Sequence, residues 1–183
     1  MNYPDALSLM HEYTQSEALR RHMYAVETSM RAYARKFHED EELWAVTGLL
    51  HDFDYERFPN PPEHPVKGSE ILKDRSYPDE VITAILGHAE YTGVPRTSLV
   101  AKVLFACDEL CGFLTAVSVI RPNKIADLEV ASVKKKMKDK GFAKNVSRDD
   151  IMRGANELGV SLEEHIQFLI DAMRLDSKRL GLD

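Results

Sequence analysis

Six residues of this 183-residue chain carry the clearest chemical signal: His22, His51, Asp52, His64, His88 and Asp108. Asp108 sits inside one of the most apolar stretches, Leu99-Val100-Ala101-Lys102-Val103-Leu104-Phe105-Ala106-Cys107-Asp108-Glu109-Leu110-Cys111-Gly112-Phe113-Leu114, which reads as a buried helix. A carboxylate on such a helix is costly unless a cation or a set of donors meets it. One solution is a buried arginine or a helix N-terminus. The other is a cation shared with His22, the dipeptide His51-Asp52, His64 and His88, which together read as a metal site. Mixed imidazole and carboxylate donors suit Fe, Mn, Ni, Co or Zn better than Ca.

Taken singly, these residues say less. His22 lies beside Met23 and Val26 on a stripe that faces a core, and His88 lies one turn after Ile85 on a similar stripe. Either could be a hydrogen-bonded core histidine. His64 stands before Pro65 in a proline-rich loop, where a solvated side chain is the ordinary outcome. His11, His38 and His165 read as surface residues. Cys107 and Cys111, one helical turn apart among apolar residues, read as reduced core thiols, which fits a cytoplasmic protein.

The elements that must position these groups are helical almost throughout. Leu19, Met23, Val26, Met30, Tyr33 and Phe37 recur at steps of three and four, one apolar stripe with a capping box expected from Thr14 and Glu17. Leu43, Val46, Thr47 and Leu50 continue the period to His51-Asp52. Phe58-Pro59-Asn60-Pro61-Pro62 breaks it, a short helix follows over about Val66–Lys73, and Pro78-Asp79 opens another that carries His88. Gly93 and Pro95 interrupt again before a long apolar helix from about Thr97 to Ile120. A basic helix near Ala126–Lys138, one capped by Ser147 and one capped by Ser161 with Glu164 complete the chain. No strand-like alternation or internal repeat competes with this pattern. The expectation is an all-α, single-domain helical bundle over 1–183, with a metal-site core at about 16–120 and a C-terminal helical lobe at about 121–183.

Composition excludes several classes. No apolar run spans a bilayer, and the N-terminus lacks the pattern of a secretory signal. The net charge is −6, yet Arg121–Arg148 holds nine basic residues against three acidic, so this segment is +6 and the remainder −12. That balance argues against general nucleic-acid binding but allows a small anion to be held. The lysines of this segment form either a solvated helix face or one edge turned inward over the metals. In the second case Lys136, Lys140 and Arg148, with Lys67 from the opposite wall, would bind a phosphate.

In order and spacing, the chain resembles the HD-domain superfamily of metal-dependent phosphohydrolases. The resemblance rests on Leu19-Arg20-Arg21-His22-Met23-Tyr24-Ala25-Val26, Gly48-Leu49-Leu50-His51-Asp52-Phe53, His64-Pro65-Val66-Lys67-Gly68-Ser69-Glu70-Ile71-Leu72, Ile85-Leu86-Gly87-His88 and Phe105-Ala106-Cys107-Asp108. It covers roughly Leu19 to Leu114 and is closest to small bacterial members with extra histidines, similar to HDIG and HD-GYP proteins. The resemblance implies that His22, His51, Asp52 and Asp108 bind one divalent transition metal, with magnesium admissible. It also implies that Asp52 bridges to a second metal held by His64 and His88. Such a pair can hold a hydroxide and clamp a phosphoryl oxygen of a small, nucleotide-like phosphate ester. Asp52 and Asp54 are then the candidate catalytic carboxylates, with Glu56 as an alternative for proton transfer, and a homodimer is compatible with the pattern. The chain departs from the HD-GYP branch: Tyr55 stands where those proteins place a lysine, and Tyr91-Thr92-Gly93-Val94-Pro95 replaces their Gly-Tyr-Pro signature. The same ligand set also occurs in di-iron oxygenases of the inositol and phosphonate type, and a non-catalytic metal-binding domain is the third reading.

Overall fold

The computed structural model describes residues 2–183 and contains only helices and their connections among them. The helices are α1 (Tyr3–Tyr13), α2 (Glu17–Phe37), α3 (Glu41–Leu50), α4 (Glu63–Asp74), α5 (Asp79–His88), α6 (Leu99–Val119), α7 (Val130–Met137), α8 (Arg148–Leu158), α9 (Leu162–Leu175) and α10 (Ser177–Leu180), with a 3-10 turn at Glu90–Thr92 after α5. None is long and apolar enough to cross a membrane.

Local chemistry explains most boundaries. Asp40 accepts the Glu42 and Leu43 N–H groups at the start of α3, Ser98 accepts the Ala101 N–H on α6, and Ser147 accepts the Asp150 N–H on α8. Ser161 and Glu164 form the expected capping box. The cap of α2 differs from expectation: Ser16, not Thr14, closes its first turn. Thr14 is buried between α1 and α2, and its hydroxyl donates to the Phe53 carbonyl at 3.0 Å. Glu56 accepts the Gln15 and Ser16 N–H groups at 2.8 and 2.9 Å, so this carboxylate is spent on the α1–α2 corner.

α6 is the central element and packs against α2, α5 and α8. The approach of α8 is close because it presents Gly154 to α6. A Cβ at that position would lie 2.7 Å from Ala106 Cα. The C-terminal region is no detached appendage: Ile125, Leu128, Val133, Ile151, Leu169 and Leu182 enter the same buried cluster as Met23, Leu104 and Phe113. The ends of the chain meet on Glu27, a buried carboxylate that accepts from Tyr3 Oη, Arg31 Nε and Arg179 Nη1 at 2.8–2.9 Å.

Both cysteines are buried and free, as core packing requires. His11 and His38 are exposed, as expected. His165 corrects the surface reading, because it is fully buried. Its Nε2–H donates to the Ala106 carbonyl at 2.8 Å, which leaves Nδ1 to accept from Tyr33 Oη at 2.6 Å. The polar atoms are thus satisfied in the core, and the helical stripe of α9 tolerates an imidazole there. Burial pushes the His165 pKa down to about 4, with the Lys36 charge adding to the fall and the Ala106 carbonyl opposing it.

Two outcomes follow. Gly154→Val should lower stability by about 2 kcal/mol through forced separation of α8 from α6, read as a lower midpoint in urea denaturation. His165 is protonated more readily in the unfolded chain than in the folded one. The unfolded state therefore binds more protons between about pH 6.5 and 4, and stability should fall as pH drops through that window. The loss is about 3 kcal/mol. The difference in denaturation midpoint between wild type and His165→Gln should shrink accordingly from pH 7 to pH 4.

Candidate metal centre

Five elements deliver the six residues. His22 comes from the second turn of α2, His51 and Asp52 from the end of α3, His64 from the start of α4, His88 from the last position of α5 and Asp108 from the middle of α6. They form two adjoining clusters, His22–His51–Asp108 and Asp52–His64–His88. In the first, His22 Nε2 lies 3.2 Å from His51 Nε2 and 3.0 Å from Asp108 Oδ1, and His51 Nε2 lies 3.4 Å from Asp108 Oδ1. In the second, Asp52 Oδ1 lies 3.2 Å from His64 Nε2 and 3.5 Å from His88 Nε2, which are 3.3 Å apart. The other Asp52 oxygen, Oδ2, lies 3.5 Å from His51 Nε2 and 3.7 Å from His22 Nε2. One carboxylate therefore faces both clusters.

The donor set fits a metal pair. Ligand atoms about 2.1 Å from a common divalent ion stand about 3.0–3.5 Å apart at angles between octahedral and tetrahedral, and all of these spacings but the 3.7 Å between Asp52 and His22 fall in that range. The hydrogen bonds on the far side of the rings agree. His51 Nδ1–H donates to the Gly48 carbonyl at 2.8 Å, His88 Nδ1–H to the Ile85 carbonyl and His64 Nδ1–H to Asp54 Oδ1 at 2.7 Å. Those acceptors hold the rings in the tautomer whose Nε2 lone pair points into the cluster. With the rings neutral, bare nitrogens and carboxylate oxygens converge, an arrangement that a bound proton or a metal cation resolves.

The electrostatics express the same demand. Burial disfavours charge on His51, but Asp52 and Asp108 outweigh it and hold its pKa well above the usual value. For His64 burial is likewise outweighed, by hydrogen bonds to Asp52 and Asp54, and its pKa stands at about 9. Burial alone would raise the carboxylates, yet the facing imidazoles hold Asp52 and Asp108 well below the ordinary range. The carboxylates thus draw positive charge into the recess, whether as protons on the imidazoles or as a metal ion.

Asp54 corrects an expectation. It is fully buried and accepts both His64 Nδ1–H and the Gly68 N–H, each at 2.7 Å, so it is unavailable as an acid or base toward a substrate. It orients His64 instead. Gly68 permits this, since a Cβ there would lie 2.7 Å from Asp54 Cγ.

The clusters open into a cleft of about 580 Å³ with Tyr55, Tyr91 and Phe105 on its walls and Val146 and Asp150 closing it from the C-terminal side. The C-terminal region thus does turn over the site, but not through its cations. Lys67, Lys136, Lys140 and Arg148 are absent from the lining. Lys67 pairs with Glu70 at 2.9 Å, Lys136 lies over the Phe142 ring, Lys140 is exposed, and Arg148 donates to the carbonyls of Phe142, Ala143 and Val146 while stacking on Phe113. Arg148 is held by a loop that would otherwise leave carbonyls unpaired, which is why a sequence-level count of basic residues misplaces it.

Glu109 belongs to the site and went unnoticed in the sequence. It lines the cleft, and Ser147 N–H donates to its Oε2 at 3.0 Å. Burial, then the charge of Asp108, raises its pKa to about 7. The available signal was a second carboxylate beside Asp108 in the same apolar helix.

A family model described as "HD domain" matches residues 19–112, just over half of the chain and the span that bears all six residues. No solved structure matches the chain.

Removal of the Asp54 carboxylate should leave His64 free to rotate. Asp54→Ala is expected to weaken binding at the second cluster about 10- to 100-fold while leaving the first cluster occupied, as read by titration of the metal-stripped protein with Co(II) and its visible spectrum.

Proposed function

Because the chain belongs to the HD domain family, whose members are mostly metal-dependent phosphohydrolases, we propose that it hydrolyses a small phosphate ester with the help of one or two divalent transition metals. The observation that carries this reading is Asp52, one carboxylate facing two ligand clusters at the floor of an open cleft. His22, His51, Asp52 and Asp108 would hold one ion, and Asp52, His64 and His88 a second. When bound, such ions supply Lewis-acid activation of water and neutralise charge on the phosphoryl group.

The chain's own groups do the rest. Gly48, Ile85 and Asp54 fix the imidazoles, so the donors are pre-arranged and little reorganisation remains on binding. Hydrolysis joins a water oxygen to phosphorus and breaks the ester P–O bond, and the departing alcohol must gain a proton. Of the three cleft carboxylates outside the clusters, Glu90 and Asp150 pair with Arg153, so Glu109 is the candidate to hand over that proton. Tyr55, Tyr91 and Phe105 offer aromatic surface to the organic part of the ester. A closed structural site would not need such a cleft, which favours catalysis over a purely binding role.

Protein purified without chelators should contain Fe, Mn, Ni, Co or Zn and release phosphate from members of a phosphatase and phosphodiesterase substrate panel. Asp108→Ala should lose at least tenfold in metal content and fall to background turnover. Oxygen consumption without phosphate release would move the assignment to an iron oxygenase. A metal-free protein without turnover, even when metals are resupplied, would overturn it.

A further inference from the structure

The charge inventory of the cleft restricts what the substrate can carry. Among the described residues that line it there is no lysine and no arginine. Beyond the two carboxylates that face the metal clusters, the lining adds Glu90, Glu109 and Asp150. Two guanidiniums stack near Phe105, with Arg96 Cζ 3.7 Å and Arg153 Cζ 5.0 Å from its ring centroid, and both are already paired with carboxylates. Arg153 pairs with Glu90 and Asp150, while Arg96 forks onto Glu157 at 2.7 and 2.8 Å.

Resting on the phosphohydrolase reading, we infer that the substrate is a phosphate monoester with a single phosphoryl group and no other anion, its organic part neutral or bearing an amine. Two divalent ions against Asp52 and Asp108 leave about two positive charges, which one phosphoryl dianion satisfies. A second phosphate or a carboxylate on the same molecule would find no free cation and would meet Glu109 and the Glu90–Arg153–Asp150 rim. An ammonium group would meet those same carboxylates, which favour it. Nucleoside di- and triphosphates, sugar bisphosphates and phosphorylated acids are thereby disfavoured.

The test uses three esters of nearly equal size that differ in the charge of the organic part: phosphoethanolamine, ethyl phosphate and phosphoglycolate. Each is measured with the metal-loaded protein as a substrate, and by titration calorimetry as a ligand. Phosphoethanolamine and ethyl phosphate should exceed phosphoglycolate at least tenfold in kcat/KM or in affinity. The Glu90→Gln/Asp150→Asn double variant, which frees Arg153 and removes two rim charges, should narrow that ratio severalfold at unchanged metal content. Equal or better handling of phosphoglycolate by the wild type overturns the inference and leaves the phosphohydrolase reading standing. Binding in the stated order without turnover of any phosphate ester overturns that reading and leaves the charge selectivity. Neither binding nor turnover of any of the three overturns both.

Discussion

Much of this structure answers one constraint: carboxylate oxygens and imidazole lone pairs converge in a partly buried recess and repel one another until a cation joins them. Asp108 is the sharpest expression of it. A helix as apolar as α6 would place a leucine there at no cost, whereas an unpaired carboxylate in such a place costs several kcal/mol. His22 and His51 sit within 3.4 Å of it, and Asp52 completes the ring from the next residue of the chain. The arrangement gains its stability only with the charge it was built to hold.

The scaffold is best understood as the means of holding that recess still. α6 runs through the middle with α2, α5 and α8 against it, so ligands from distant parts of the chain are fixed by a shared core rather than by flexible loops. Behind each ring of His51, His64 and His88 stands an acceptor that sets its tautomer and direction. Asp54 is the most specialised of these. It is buried, held by a glycine N–H and devoted to a single imidazole. On the opposite side α8 approaches through Gly154 and brings Asp150 to the lining of the cleft, while Glu109 ties the N-terminus of α8 to α6. The negative walls of the cleft thus arise from the same packing that closes the fold.

The helical order, the breaks at the prolines and the grouping of residues that could hold a metal were legible because each rests on local rules. Periodicity of three and four marks an amphipathic helix, and caps such as Ser147 and Ser161 act within one turn. A carboxylate in an apolar helix is anomalous wherever that helix lies. The errors share the opposite property. His165 reads as a surface residue in the sequence although it is buried, because its partners Tyr33 and Ala106 lie 132 and 59 residues away. Asp54 looked like a free carboxylate after a helix end until α4 folded back to place His64 and Gly68 on it.

The basic segment is the most instructive case. Charge content can be counted in a sequence, but the destination of each charge cannot. Arg148 turns to loop carbonyls, Lys67 to Glu70 and Lys136 to an aromatic face, and none reaches the cleft. By itself the sequence determined an all-helical chain and the residues that could bind metal, since residue type and spacing govern both. Only the tertiary structure decided that Asp52 serves two clusters, that Asp54 positions rather than reacts, and that the cleft is lined by acids instead of cations. Those outcomes depend on distances between segments far apart in the chain, and packing alone sets them.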